Sequence, residues 1–145
     1  MWSHFGFILL TPAVALLLGA VSALAFVFLA RRYPPQRERR LYAVGLVIAA
    51  LIYVAFAAAG GAGARQLALE GLGVLLYGAA AWGGLRGRPW LLALGWAAHV
   101  AWDVLLHMGG AGAEYAPHWY PWLCVSFDLV VAGAVLASSR RGAAA

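Results

Sequence analysis

Lysine is absent from this chain, cysteine occurs once, and only five residues are acidic. Each scarcity excludes something. With Cys124 alone there is no intrachain disulfide and no paired-cysteine zinc or redox motif. Charged residues make up 10% of the chain and hydrophobic ones 65%, whereas a soluble domain is about a quarter charged. So little charge cannot build a water-facing surface, which leaves the bilayer as the solvent. Ten arginines give a net charge of +5, but they lie in short segments between apolar runs and near the C-terminal end, without aromatic interleaving. Membrane topology explains them more simply than nucleic acid, which is not an expected partner.

What is present is apolar length. A membrane span needs about 20 mostly apolar residues, and five segments qualify: roughly 5–30, 41–59, 66–85, 89–108 and 119–138. They are separated by "RRYPPQRERR", "GGAGAR", "RGRP" and "GGAGAEYAPH", all rich in glycine, proline or charge. The first run is too long for a signal-peptide core and lacks a basic lead-in, so it is expected to stay as a span. The third is the weakest, being glycine-rich and carrying Glu70; a re-entrant segment is its alternative. The expectation is an all-α, polytopic bundle of five transmembrane helices forming one domain over residues 1–145, in the cell membrane.

Arginine placement orients that bundle. Arg31, Arg32, Arg37, Arg39 and Arg40 follow the first span, Arg86 and Arg88 the third, and Arg140 and Arg141 the fifth. Five spans put all nine on one side and only Arg65 on the other. The positive-inside rule then predicts an extracytoplasmic N-terminus and a cytoplasmic C-terminus. Small residues four apart, Ala15, Gly19 and Ala23, then Gly45 and Ala49, allow close helix contact and leave room for a homodimer. Trp2, Trp90, Trp119 and Trp122, near span ends, read as interface anchors.

Against this background "GWAAHVAWDVLLH", residues 95–107, stands out. An ionisable side chain within a span costs roughly 2.5–3.5 kcal/mol even on the lenient insertion scale. His99 and Asp128 fall near mid-span, and Asp103 and His107 lie at successive steps of about 6 Å towards the outer side. Glu70 sits one turn inside the outer end of the third span; His4 and His118 mark the outer surface. On an ideal helix Trp96, His99, Asp103 and His107 share a sector of roughly 80°. Asp128 shares its face with Cys124 and Pro121, Glu70 with Tyr77, and His4 with Thr11 and Ser22, whereas the second span offers Tyr42 and Tyr53 but no charge. The natural picture is an outward-opening pocket walled by the first, third, fourth and fifth spans.

Three chemistries suit this set. Imidazole plus carboxylate fits zinc or iron, with His99 and Asp103 at i, i+4 gripping one ion and Asp128, Glu70, Cys124 or His107 assisting. His107 is about 12 Å along the helix from His99, so it serves a second ion or orients a ligand. Alternatively, Asp103, Asp128, His99 and Glu70 work as acid–base catalysts on a lipid-like substrate. A proton ladder is the third option, but the other half of the span carries no titratable partner. Haem would need histidines at matched depth on different helices, and the glycine-rich stretch lacks the lysine of a phosphate loop. A carrier of a cation or small hydrophobic ligand, and a purely structural membrane subunit, are the non-enzymatic readings of the same residues.

"GWAAHVAWD" and "WYPWLCVSFD" resemble a pattern in small bacterial integral membrane proteins of unknown function: Gly-Trp-x-x-His-x-x-Trp-Asp followed by Trp-Tyr-Pro-x-x-Cys-x-x-Phe-Asp. That resemblance covers about the last third of the chain. It implies that His99, Asp103 and Asp128 belong to one site, and it implies no activity. Length, five spans and seven tryptophans also resemble the tryptophan-rich TspO-type sensory proteins, in architecture alone.

Overall fold

Proline opens three of the long helices, where its fixed φ suits the first turn and its missing N–H is not needed. The computed structural model describes residues 11–144; the expectations for Trp2, His4 and the first part of span 5–30 lie outside them. Helices α1 (Pro12–Ala30), α2 (Pro35–Ala59) and α4 (Pro89–Trp102) begin on proline, and α5 (Tyr120–Ala144) carries Pro121 in its first turn. The Thr11 hydroxyl caps α1 by accepting the Val14 N–H at 3.3 Å. Helix α3 (Ala64–Leu85) is continuous, so the third segment is a full-length helix and the re-entrant alternative falls away. Gly61 and Gly87, at φ +73° and +94°, take the left-handed conformation just past the ends of α2 and α3.

No strand occurs among the described residues, and five helical stretches are long and apolar enough to cross a membrane. Leu17, Leu24, Phe28, Leu75, Trp82 and Leu105 all point outward, more than half exposed. An apolar shell of this size belongs against lipid rather than water. The chain is a multi-pass helical bundle.

Small residues set the packing. In α1 the buried positions are Ala15, Gly19, Ala23, Val27 and Ala30, and that face lies on α5. Helix α2 packs on α3, and α4 against both α3 and α5. The Ser126 hydroxyl donates to the Leu16 carbonyl at 2.7 Å, clamping α1 to α5. Between α2 and α4, the Trp96 indole donates to the Tyr42 carbonyl at 3.1 Å.

Gly19 makes this packing testable. A Cβ there would land on the Leu123 carbonyl, backbone that cannot swing away, and on the Ser126 hydroxyl that clamps α1 to α5. The better helix propensity of alanine, about 1 kcal/mol, would not offset that clash. Gly19→Ala is therefore expected to destabilise by about 1–3 kcal/mol, read as a lower melting temperature in detergent. Gly71→Ala, where a Cβ meets nothing within 4 Å, is the neutral control. A Gly19 variant as stable as its parent would contradict the α1–α5 contact.

Candidate metal centre

Helix α4 does not end at Trp102; it loosens. Residues Asp103–Met108 continue as a π-helix, which gives way at Gly109 and Gly110 to a short 3-10 turn, Ala111–Glu114. Single π turns are rare and gather where side chains must be re-aimed. His99, on the α part, and Asp103, at the junction, face the same interior, and α5 brings Asp128 to meet them. All three are at most 1% exposed.

The contacts are short. His99 Nδ1 lies 2.7 Å from Asp128 Oδ2 and 3.7 Å from Asp103 Oδ1. The Tyr53 hydroxyl donates to Asp103 Oδ1 at 2.6 Å. Tyr77 sets its ring edge-on to His99, centroids 4.8 Å apart, and its hydroxyl donates to the Ala98 carbonyl. One ligand atom from each of His99, Asp103 and Asp128 lies within 4.8 Å of the others, a spacing that can hold a metal ion. Two buried atoms of the group, His99 Nε2 and Asp103 Oδ2, have no hydrogen-bond partner among the described residues.

A second cluster lies one helix turn along, around Glu70 of α3. Its carboxylate accepts from the Trp102 indole at 3.1 Å, meets His107 Nε2 at 2.9 Å, and accepts a short hydrogen bond from the Tyr115 hydroxyl. His107 Nδ1 reaches back to the Trp102 carbonyl at 3.4 Å, five residues away, as a π turn allows. Burial and the Glu70 carboxylate raise the Tyr115 phenol above its ordinary value, which keeps it a proton donor. Tyr53 joins the clusters: its ring stacks on His107, centroids 3.6 Å apart and 15° between planes, while its hydroxyl holds Asp103.

The structure thus gathers His99, Asp103 and Asp128, and places Glu70 and His107 in a neighbouring pair of their own. Glu70 is 1% exposed, so it does not snorkel to the interface. Cys124 is buried against the hydroxyls of Tyr53 and Tyr120, outside the ligand group, and His118 is exposed. One wall differs from the sequence expectation. Thr11 and Ser22 are exposed, so the polar side of α1 faces away, and it is α2, through Tyr53, that closes the site. Tyr53, Trp102 and Tyr115 were not among the candidate site residues. Tyr53 carried a weak signal as a polar tip within an apolar run, whereas Tyr115 reaches Glu70 only because its loop folds back.

Fold and site together define a five-helix membrane protein built around a buried imidazole–carboxylate group. Residues 14–141 match DUF6010, a family of unknown function, and the chain belongs to that family. No curated protein and no solved structure matches it.

Proposed function

We propose that the protein binds one divalent metal ion, zinc or iron, through His99, Asp103 and Asp128. The observation that carries this reading is the pair of orphaned atoms, His99 Nε2 and Asp103 Oδ2. They are an imidazole nitrogen and a carboxylate oxygen, the donors that zinc and iron take, and leaving such atoms buried and unpaired costs about 1–3 kcal/mol each. Charge supports the reading too. Two carboxylates and a neutral imidazole carry −2 formally, which a divalent cation cancels in a low-dielectric interior.

The neighbours suit a metal site. In the ion-free protein a proton on Nδ1 lets His99 donate to Asp128 Oδ2, which leaves Nε2 unprotonated and the second Asp128 oxygen to serve an ion. Tyr53 orients Asp103 in the same way. Three protein ligands leave a coordination position open, where a metal supplies Lewis-acid activation of a bound water or carbonyl. A lipid-like or small hydrophobic substrate entering from the bilayer is the ligand this buried position favours, and the arginine-rich end of the bundle is assigned to the cytoplasm. The same donors without a metal make an acid–base pair, a reading favoured by the 2.7 Å His99–Asp128 contact with Asp103 held close by. A carrier would use the same ligands without turnover.

Titrating metal-stripped protein in detergent with zinc, iron(II) or manganese(II) separates metal binding from metal-free acid–base chemistry. At an ion concentration 100 times Kd, binding stabilises the fold by about 2.7 kcal/mol. The melting temperature of the parent is expected to rise with at least one ion, and that of His99→Ala to stay flat. No response of the parent to any ion would overturn the metal reading and leave acid–base chemistry.

A further inference from the structure

The far end of the bundle holds a cavity of about 460 Å³ that the metal reading does not use. It lies where the α1–α2 turn, the start of α4 and the C-terminal turns of α5 converge. Arg31, Arg39 and Arg141 line it together with Ser138, Tyr42 and Glu38. We propose that this cavity binds a phosphate group, carried by an anionic phospholipid or free in solution.

Charge is the first argument. Three guanidiniums border one cavity, and among the described residues none lies within ion-pair distance of a carboxylate. The single acid in the wall, Glu38, is committed elsewhere. Its side chain is buried, and Oε1 accepts from the Tyr42 hydroxyl at 3.1 Å and the Ser138 hydroxyl at 2.8 Å. Glu38 thus ties α2 to α5 without neutralising the arginines, and the cavity keeps an excess of positive charge.

Pre-organisation is the second argument. Arg141 Nη2 donates to Ser138 Oγ at 2.9 Å, so this guanidinium is held at the rim. Arginine presents a planar fork of donors that matches phosphate oxygens in pairs. The cavity also lies at the level of the membrane surface. Arg31 follows the last residue of α1 directly, and Tyr33 beside it is 46% exposed, so the cavity opens where an apolar span ends. Phospholipid phosphates occupy that boundary, and basic pockets between spans there are suited to them. The volume accommodates a phosphate with its glycerol.

The test uses the full chain in a neutral detergent, followed by thermal unfolding and native mass spectrometry. Three probes are compared: phosphatidylglycerol, phosphatidylcholine and inorganic phosphate. The Arg39→Gln/Arg141→Gln double variant accompanies the parent. If the source is lipid, phosphatidylglycerol raises the melting temperature and stays bound as a stoichiometric adduct, while the other two do neither. If it is free phosphate, inorganic phosphate alone stabilises. In either case the double variant is expected to bind at least tenfold more weakly, and binding to the parent to weaken as salt rises. Both substituted positions are at least partly exposed, so the variant should fold. If it does not, the salt dependence decides for the parent alone. Overturning results are no stabilisation by either anionic probe, equal affinity in the folded variant, or salt-independent binding.

Discussion

Asp128→Asn is expected to weaken metal affinity by about 10–100-fold or more while the protein still folds. The amide oxygen can still accept from His99 Nδ1, so the contact that joins α4 to α5 survives. What is lost is one of the two negative charges that balance a divalent cation. In metal-free protein the variant should melt within about 1–2 kcal/mol of the parent, because it also relieves a buried charge. The check is a pair of melting curves, with and without the stabilising ion. If the site only packs helices, Asp128→Asn lowers both curves equally. If it holds an ion, the difference between them collapses.

Glu70→Ala should have the largest effect on stability. Hydrogen bonds within membranes average only about 0.6 kcal/mol each in double-mutant cycles. Here one truncation strands the Trp102 indole, the Tyr115 hydroxyl and His107 Nε2 together, two of them on fully buried side chains or nearly so. Breaking one side of a buried paired charge leaves its partners unsatisfied, which raises the expected loss to about 3–5 kcal/mol. Glu70→Gln keeps one oxygen, which in the place of Oε1 still accepts from Tyr115, but it turns its NH2 on the Trp102 indole, so it should recover only part of the loss. Neither change is expected to alter metal content, because Glu70 lies outside the ligand group. Equal stability of the alanine variant and the parent in thermal unfolding would contradict the network. Loss of metal on Glu70→Gln would merge two clusters that the structure keeps apart.

The helices were legible because the bilayer makes apolar run length a direct measure of a span. His99, Asp103 and Asp128 were legible for a related reason: an ionisable group in an apolar helix must find company. Which company was not legible. Glu70 and His107 both stood out as ionisable residues within spans, but their pairing depends on α3 and α4 packing side by side, and on a π turn that re-aims His107. Six residues are too few for hydrophobic periodicity to separate a π turn from an α turn. In α1 the polar stripe of Thr11 and Ser22 suggested an inward face, whereas the inward face is the small-residue one, Ala15, Gly19 and Ala23. In a membrane both faces of a helix are apolar, so residue size rather than polarity marks the contact.

The central claim, that His99, Asp103 and Asp128 hold a metal ion, is tested most directly by elemental analysis of protein purified without a polyhistidine tag. His99→Ala and Asp103→Asn variants are prepared beside it. The account predicts close to one zinc or iron ion per chain in the parent and a substoichiometric content in both variants, because losing a ligand weakens affinity by at least the roughly 10–100-fold that an outer-shell change costs. A parent that holds no metal, even after reconstitution with zinc, iron and manganese, would contradict it.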